Sequence, residues 1–258
     1  MSLRTLKGLA VPMFAVAIAV SGCGGSQEEA PAGAPGAAPA AAIDPATAAT
    51  ITGIIKLEGT APAADPIKMN ADPVCVKEGQ GATTEFIVAE DGNLANVLVY
   101  VKDGLGDRTF QAPTEAVTLD QKGCQYTPHV FGIMVGQPLE IVNSDPTLHN
   151  IHAIPKSNSE FNTGQPIQGM KFAHTFTAKE VMVPFKCDVH GWMNAHAAVL
   201  DHPFYAVSGK DGKFELKGLP PGKYTVEAWH EKLGAQTMEV TVAEKESKPA
   251  DFTFKMAS

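Results

Sequence analysis

From Thr50 onward the apolar residues alternate with polar ones in short runs, and nearly every run stops at Gly or Pro. Ile51–Leu57, Asn96–Val101, Lys213–Leu216, Tyr224–Trp229 and Met238–Val242 follow this rule, and Val135–Asn143 reads as a turn and then a strand. Successive side chains on a strand point to opposite faces, so a period-two run buries one face and wets the other. Many short runs of this kind predict an all-β chain packed as sandwiches. No long stripe of period 3.6 occurs, so helices should be few and short. No uninterrupted apolar stretch reaches the roughly 18 residues of a membrane span, which excludes a polytopic membrane protein. The 258 residues are 44% hydrophobic, with 24 Gly and 19 Pro. That is enough apolar material for a core and enough turn formers for a loop-rich β protein.

The N-terminal residues read as an address. Residues 1–22 carry Arg4 and Lys7, then an apolar run from Leu9 to Val20 interrupted by Pro12, then small residues. This is the pattern of a secretory signal. The tetrad Val20-Ser21-Gly22-Cys23 resembles the bacterial lipobox. The resemblance implies cleavage before Cys23 and lipid on its sulfur, anchoring an exported protein to a bacterial membrane that faces the periplasm or the exterior. An ordinary secretory signal with a coincidental Cys is the plainer alternative. Residues 23–49 are rich in Ala, Pro and Gly and read as a tether, with Pro31, Pro35, Pro39 and Pro45 barring a continuous helix. Loss of the two basic residues in 1–22 leaves 18 basic against 28 acidic residues, a net charge of −10. Such a field repels nucleic acid and favours a basic soluble partner.

Two segments carry the chemistry: Pro146–His152 and Phe185–Met193. The second holds Cys187, His190 and Met193 at the spacing Cys-x-x-His-x-x-Met. With His149 from a neighbouring loop, the donors become two imidazoles, a thiolate and a weak axial thioether, the blue-copper arrangement. Zinc is less suited, because Met is a poor zinc ligand. The remaining His residues are weaker candidates. His152 should face away from His149 on a strand. His196 reads as a surface residue or an alternative ligand, and His174, His202 and His230 carry no motif. No Gly-rich phosphate loop, Gly-x-Ser-x-Gly or His-Glu-x-x-His is present, so no enzyme activity is expected.

At these residues the stretch from about Val117 to His202 resembles a small cupredoxin of the amicyanin and plastocyanin kind. The shared features are Tyr126-Thr127-Pro128, Val135-Gly136-Gln137, Val142-Asn143, His149-Asn150-Ile151 and the closing ligand loop. The resemblance implies one copper ion, with His149, Cys187 and His190 equatorial and Met193 axial. With Cys23 given to lipid and Cys187 to metal, Cys75 and Cys124 remain, and outside the cytoplasm such a pair is most simply a disulfide. A second soft metal site using these cysteines with His129 is the alternative. Trp192 sits inside the ligand loop. It reads either as packing or as part of an apolar docking patch beside an exposed edge of His190.

The turns Ser208–Phe214 and Gly218–Tyr224 resemble those of the carboxypeptidase regulatory-like, or carbohydrate-binding-like, sandwich. The stretch 203–258 is short for such a sandwich, so residues 50–114 are expected to supply its first part, with a cupredoxin domain at 115–202 between them. Trp229-His230 would then pack, against the inserted domain in one reading. The function this implies is a lipid-anchored blue copper protein exchanging single electrons with a cytochrome c or a membrane oxidoreductase. The alternative is copper binding or delivery without redox, or a carbohydrate- or protein-binding module.

Overall fold

The computed structural model describes residues 43–256; the expected signal peptide, Cys23 and most of the expected tether fall outside the described residues. The chain is nearly all β, as its alternation predicts. The first strands are β1 (Ala49–Glu58), β2 (Ala89–Glu90), β3 (Asn93–Leu94) and β4 (Leu98–Asp103), with one six-residue helix α1 (Pro73–Glu78) between β1 and β2. The middle strands are β5 (Val117–Lys122), β6 (Gln125–Thr127), β7 (Val130–Met134), β8 (Pro138–Asn143), β9 (His149–Ala153), β10 (Phe161–Gln165), β11 (Lys171–Thr175), β12 (Glu180–Lys186) and β13 (Asn194–Leu200). The last are β14 (Tyr205–Val207), β15 (Lys213–Leu219), β16 (Gly222–His230), β17 (Gly234–Val242), β18 (Ser247–Pro249) and β19 (Phe252–Lys255). Among the described residues no helix is long and apolar enough to cross a membrane.

The middle strands form two sheets, ordered β10-β9-β12-β13-β7 and β11-β8-β5-β6. Leu119, Ile133, Leu139, Ile141, Ile151, Phe176, Val183, Phe185 and Val199 fill the space between them. Strands from both ends of the chain form the other two sheets. One has the order β14-β4-β16-β17; in the other β1 pairs antiparallel with β15 and parallel with β18 and β19. Their shared core includes Ile51, Ile55, Val99, Val101, Phe214, Leu216, Tyr224, Val226, Phe252 and Phe254.

Residues 59–88, within the stretch 50–114 expected to supply the first strands of a sandwich, hold only α1 and one isolated bridge. Ile67, Met69, Cys75 and Ala82 from this stretch pack on the middle core instead. A third apolar cluster joins the two β systems: Leu98 and Tyr100 on β4 meet Val130, Ala198 and Leu200 on β7 and β13. Gly132 permits this approach, because a Cβ there would lie 2.2 Å from the ring of Tyr205.

Candidate metal centre

The loop after β12 is tight. The Cys187 N–H donates to the Met193 carbonyl at 3.2 Å, and the Met193 N–H to the His190 carbonyl at 2.9 Å. These bonds bring Cys187 and His190 to one point, while His149 opens β9 beside them. Asn150 ties the two segments together, its side-chain oxygen accepting the Asp188 N–H at 2.6 Å. The donor atoms of His149, Cys187 and His190 lie within 4.8 Å of one another, and all three residues are buried. Met193 is buried at the end of the same loop.

The Nδ1 atoms of His149 and His190 face each other at 2.9 Å. Each ring is fixed from behind by a carboxylate. His149 Nε2 meets Asp145 at 2.9 Å, and His190 Nε2 meets Asp72 at 3.1 Å. A carboxylate that accepts the Nε2–H sets the tautomer and turns the Nδ1 lone pair toward the centre. Asp145 is itself held by the Gly123 and Cys124 N–H groups, each at 2.8 Å. Asp72 caps α1 through the Val74 N–H at 2.7 Å and accepts from the Thr147 hydroxyl at 2.7 Å. Burial works against ionising Asp145 and Asp72, but these hydrogen bonds outweigh it and hold both carboxyls below their usual range.

The two histidines are unequal. Burial lowers His149, but Asp145 and Cys187 push it up past its ordinary value. Burial and the neighbouring His149 charge hold His190 down. The two facing Nδ1 atoms and the Cys187 sulfur thus converge on one buried point. Burial alone would raise the Cys187 thiol. Hydrogen bonds from His149 and from the N–H groups of Asn150, His190 and Val189 bring it below the ordinary thiol value, favouring a thiolate ligand. Tyr126 closes the site from below, its buried hydroxyl donating to the Asn150 carbonyl at 2.5 Å. Burial and the nearby Cys187 and Asp188 charges keep that hydroxyl protonated.

Two sequence expectations change, at His190 and His196. His190 has no exposed edge: it is 2% accessible, because Asp72 and Cys75 of the α1 segment cover its Nε2 side, Cys75 Sγ at 3.6 Å. Cys75 and Cys124 form the disulfide expected of them, which leaves no soft site for them with His129. His196 is partly buried against His129 and Trp229 rather than on the surface. Trp192 is half-buried, its ring 5.0 Å from that of His190 and its N–H donating to the Cys124 carbonyl at 2.9 Å. His152 does face away from His149, pairing with Asp188 and Glu160. Sequence reasoning missed Asp72 and Asp145. The spacing Asp145-x-x-x-His149 was a weak signal for one; nothing local pointed to the other, which lies 118 residues from His190.

No known protein-family model matches the chain, and no curated protein matches it. Solved structures similar to it are cupredoxins, each over about a third of its length. A Cu-containing nitrite reductase from Thermus scotoductus SA-01 is 24% identical over 34% of this chain, with a TM-score of 0.32. The chain spans only 23% of that protein's length. An amicyanin variant in its Cu(I) form is 20% identical over 33% of this chain and 81% of its own, with a TM-score of 0.29. A purple cupredoxin from Nitrosopumilus maritimus is 27% identical over 29% of this chain and 81% of its own, with a TM-score of 0.26.

Proposed function

We propose that this protein is a lipid-anchored type 1 copper protein that carries single electrons outside the cytoplasm and is not an enzyme. One observation carries the reading: two buried imidazoles present Nδ1 to each other at 2.9 Å beside a buried free thiol, and a carboxylate holds each ring from behind. This N₂S donor set fits copper, with Met193 as the axial candidate. Bound there, copper would supply a one-electron couple between Cu(II) and Cu(I).

The chain's own part is to hold the donors still. Asp145 and Asp72 fix the two rings, the N–H groups of Asn150 and His190 hold the sulfur, and the packed core keeps water out. A site already in place reorganises little when its charge changes. In this reading residues 115–202 form the cupredoxin domain, and residues 50–114 and 203–258 form a discontinuous regulatory-like sandwich, with residues 59–88 lent partly to the copper domain. Cys23 would carry the lipid and residues 23–49 the tether.

With His190 covered, docking moves to its neighbours. Leu148 and Val189 flank the two histidines in sequence and are 43% and 48% exposed, and each is an apolar contact for a redox partner in this reading. The acidic net charge favours a basic partner such as a cytochrome c, with a membrane oxidoreductase as the other class.

The test is the visible absorption and EPR of the Cu(II)-loaded protein beside Cys187→Ala. An intense thiolate-to-copper band with narrow hyperfine splitting, lost in the variant, supports the assignment. A colourless protein, or a weak signal that survives the substitution, overturns it. Fast reversible voltammetry then separates electron transfer from delivery, since a delivery protein would release copper on reduction.

A further inference from the structure

A second cluster of donors lies outside the copper candidate. His129 precedes β7, His196 lies on the neighbouring strand β13, and Glu231 opens the turn between β16 and β17. One donor atom from each lies within 4.8 Å of the other two. His129 Nε2 is 2.5 Å from Glu231 Oε1, and the side chains of both are less than a tenth exposed. The rings of His129 and His196 meet edge to face at 5.9 Å.

Local structure builds this placement. The His196 N–H donates to the His129 carbonyl at 2.8 Å, which locks the two histidines side by side across adjacent parallel strands. His129 Nδ1 faces the Asn194 carbonyl at 3.2 Å, so that nitrogen carries a proton and Nε2 is the donor atom left for a ligand role. His230 Nδ1 accepts the Lys232 and Leu233 N–H groups, tightening the turn that presents Glu231. Lys232 Nζ stands 3.6 Å from the other carboxylate oxygen, Oε2, leaving Oε1 to the histidines.

A buried imidazolium–carboxylate pair would account for His129 and Glu231. It would do nothing for His196, whose Nδ1 is buried without a hydrogen-bond partner. We infer that His129, His196 and Glu231 form a second metal site, for a borderline divalent ion of the zinc class, bridging the two β systems. Two imidazoles and one carboxylate are a recognised zinc donor set that leaves one position open. Donors around a tetrahedral zinc stand about 3.4 Å apart, so the observed separations need only small side-chain shifts. The N₂O set is harder than the N₂S set at Cys187, so the two sites differ in metal preference. His129 also lines a small cleft with Phe86, Gln125, Trp192 and Asn194. The bound ion would join the β16–β17 turn to the β7–β13 edge, with water in the open fourth position.

The proposal does not rest on the copper reading, and the test keeps the two apart. Zn(II) uptake by the full-length protein is measured by calorimetry beside Glu231→Gln, His196→Asn and Cys187→Ala. The expected result is one equivalent that is weakened about 100-fold or more in both Glu231→Gln and His196→Asn but retained in Cys187→Ala. Co(II) gives a second readout, because cobalt at this thiol-free site shows weak d–d bands without thiolate charge transfer. His196→Asn leaves the His129–Glu231 pair in place, so the question stays answerable if Glu231→Gln fails to fold. Equal Zn(II) stoichiometry and affinity in all four proteins would reduce the cluster to an ion pair and overturn the proposal.

Discussion

At the scale of single residues, the donors are only half of the site. His149 and His190 can turn Nδ1 inward because Asp145 and Asp72 hold their far sides. Asp145→Asn replaces a charged acceptor with a neutral one, and we expect copper affinity to fall about 10–100-fold, read by competition with a chromophoric chelator. Asp72→Asn should fall in the same direction, with thermal unfolding distinguishing lost affinity from lost fold. The sequence makes the donors legible because Cys187, His190 and Met193 share one short loop, where spacing alone constrains geometry. It conceals the carboxylates because their role depends on long-range packing. Asp72 reads as an ordinary helix cap and Asp145 as a turn residue, and both are those things as well. Glu231 is hidden for the same reason: it lies in a turn and meets His129 only across the junction of two sheet systems.

At the scale of elements, the Cys75–Cys124 disulfide connects both carboxylates to one staple. Asp72 begins the helix that carries Cys75, and Asp145 accepts the N–H of Cys124. The bridge closes a loop of 49 residues, for which unfolded-chain entropy suggests about 4 kcal/mol of stabilisation. Replacing both cysteines by Ser should lower the urea midpoint accordingly and free the cover over His190, seen as a faster bimolecular reaction with a soluble redox partner. The strands were largely legible, because β1, β8, β15, β16 and β17 carry the alternation that marks them and β4 is a short apolar run buried on both faces. The excursion of residues 59–88 was not, since its Pro and Gly residues carry no period and Ile67, Met69, Cys75 and Ala82, which commit it to the middle core, are scattered along it. The seam between the β systems is tight at Gly132. Gly132→Ala should cost about 1–3 kcal/mol by forcing Tyr205 aside, measured as a lowered unfolding midpoint.

At the scale of the whole molecule, acid should loosen the fold from places remote from the copper candidate. His202 and His230 are both buried, and burial lowers each to about 4. Their Nδ1 atoms accept backbone N–H groups, so both are folded as neutral rings. A histidine with a depressed folded value gives stability that is fully present above its unfolded value, about 6.5, and lost as pH falls below it. The loss runs from about pH 6.5 to about pH 4 and approaches about 3 kcal/mol for each residue. The melting temperature should therefore drop across that window. His230→Asn should flatten part of the drop while lowering stability at neutral pH.

The parallel pairing of β1 with β18 and β19 has a consequence for the order of synthesis. Residues 49–58 leave the ribosome early, yet their partners at 247–255 come almost last. At about 5–20 residues per second the first strand waits roughly 10–40 s for its neighbours. Over that interval Ile51, Ile55 and Leu57 have only the short β3 and then β15 to pair with, whereas strands β5 to β13 find their sheet partners among themselves. The part bearing Cys187 can therefore be finished first, with β1, β18 and β19 joined only afterwards.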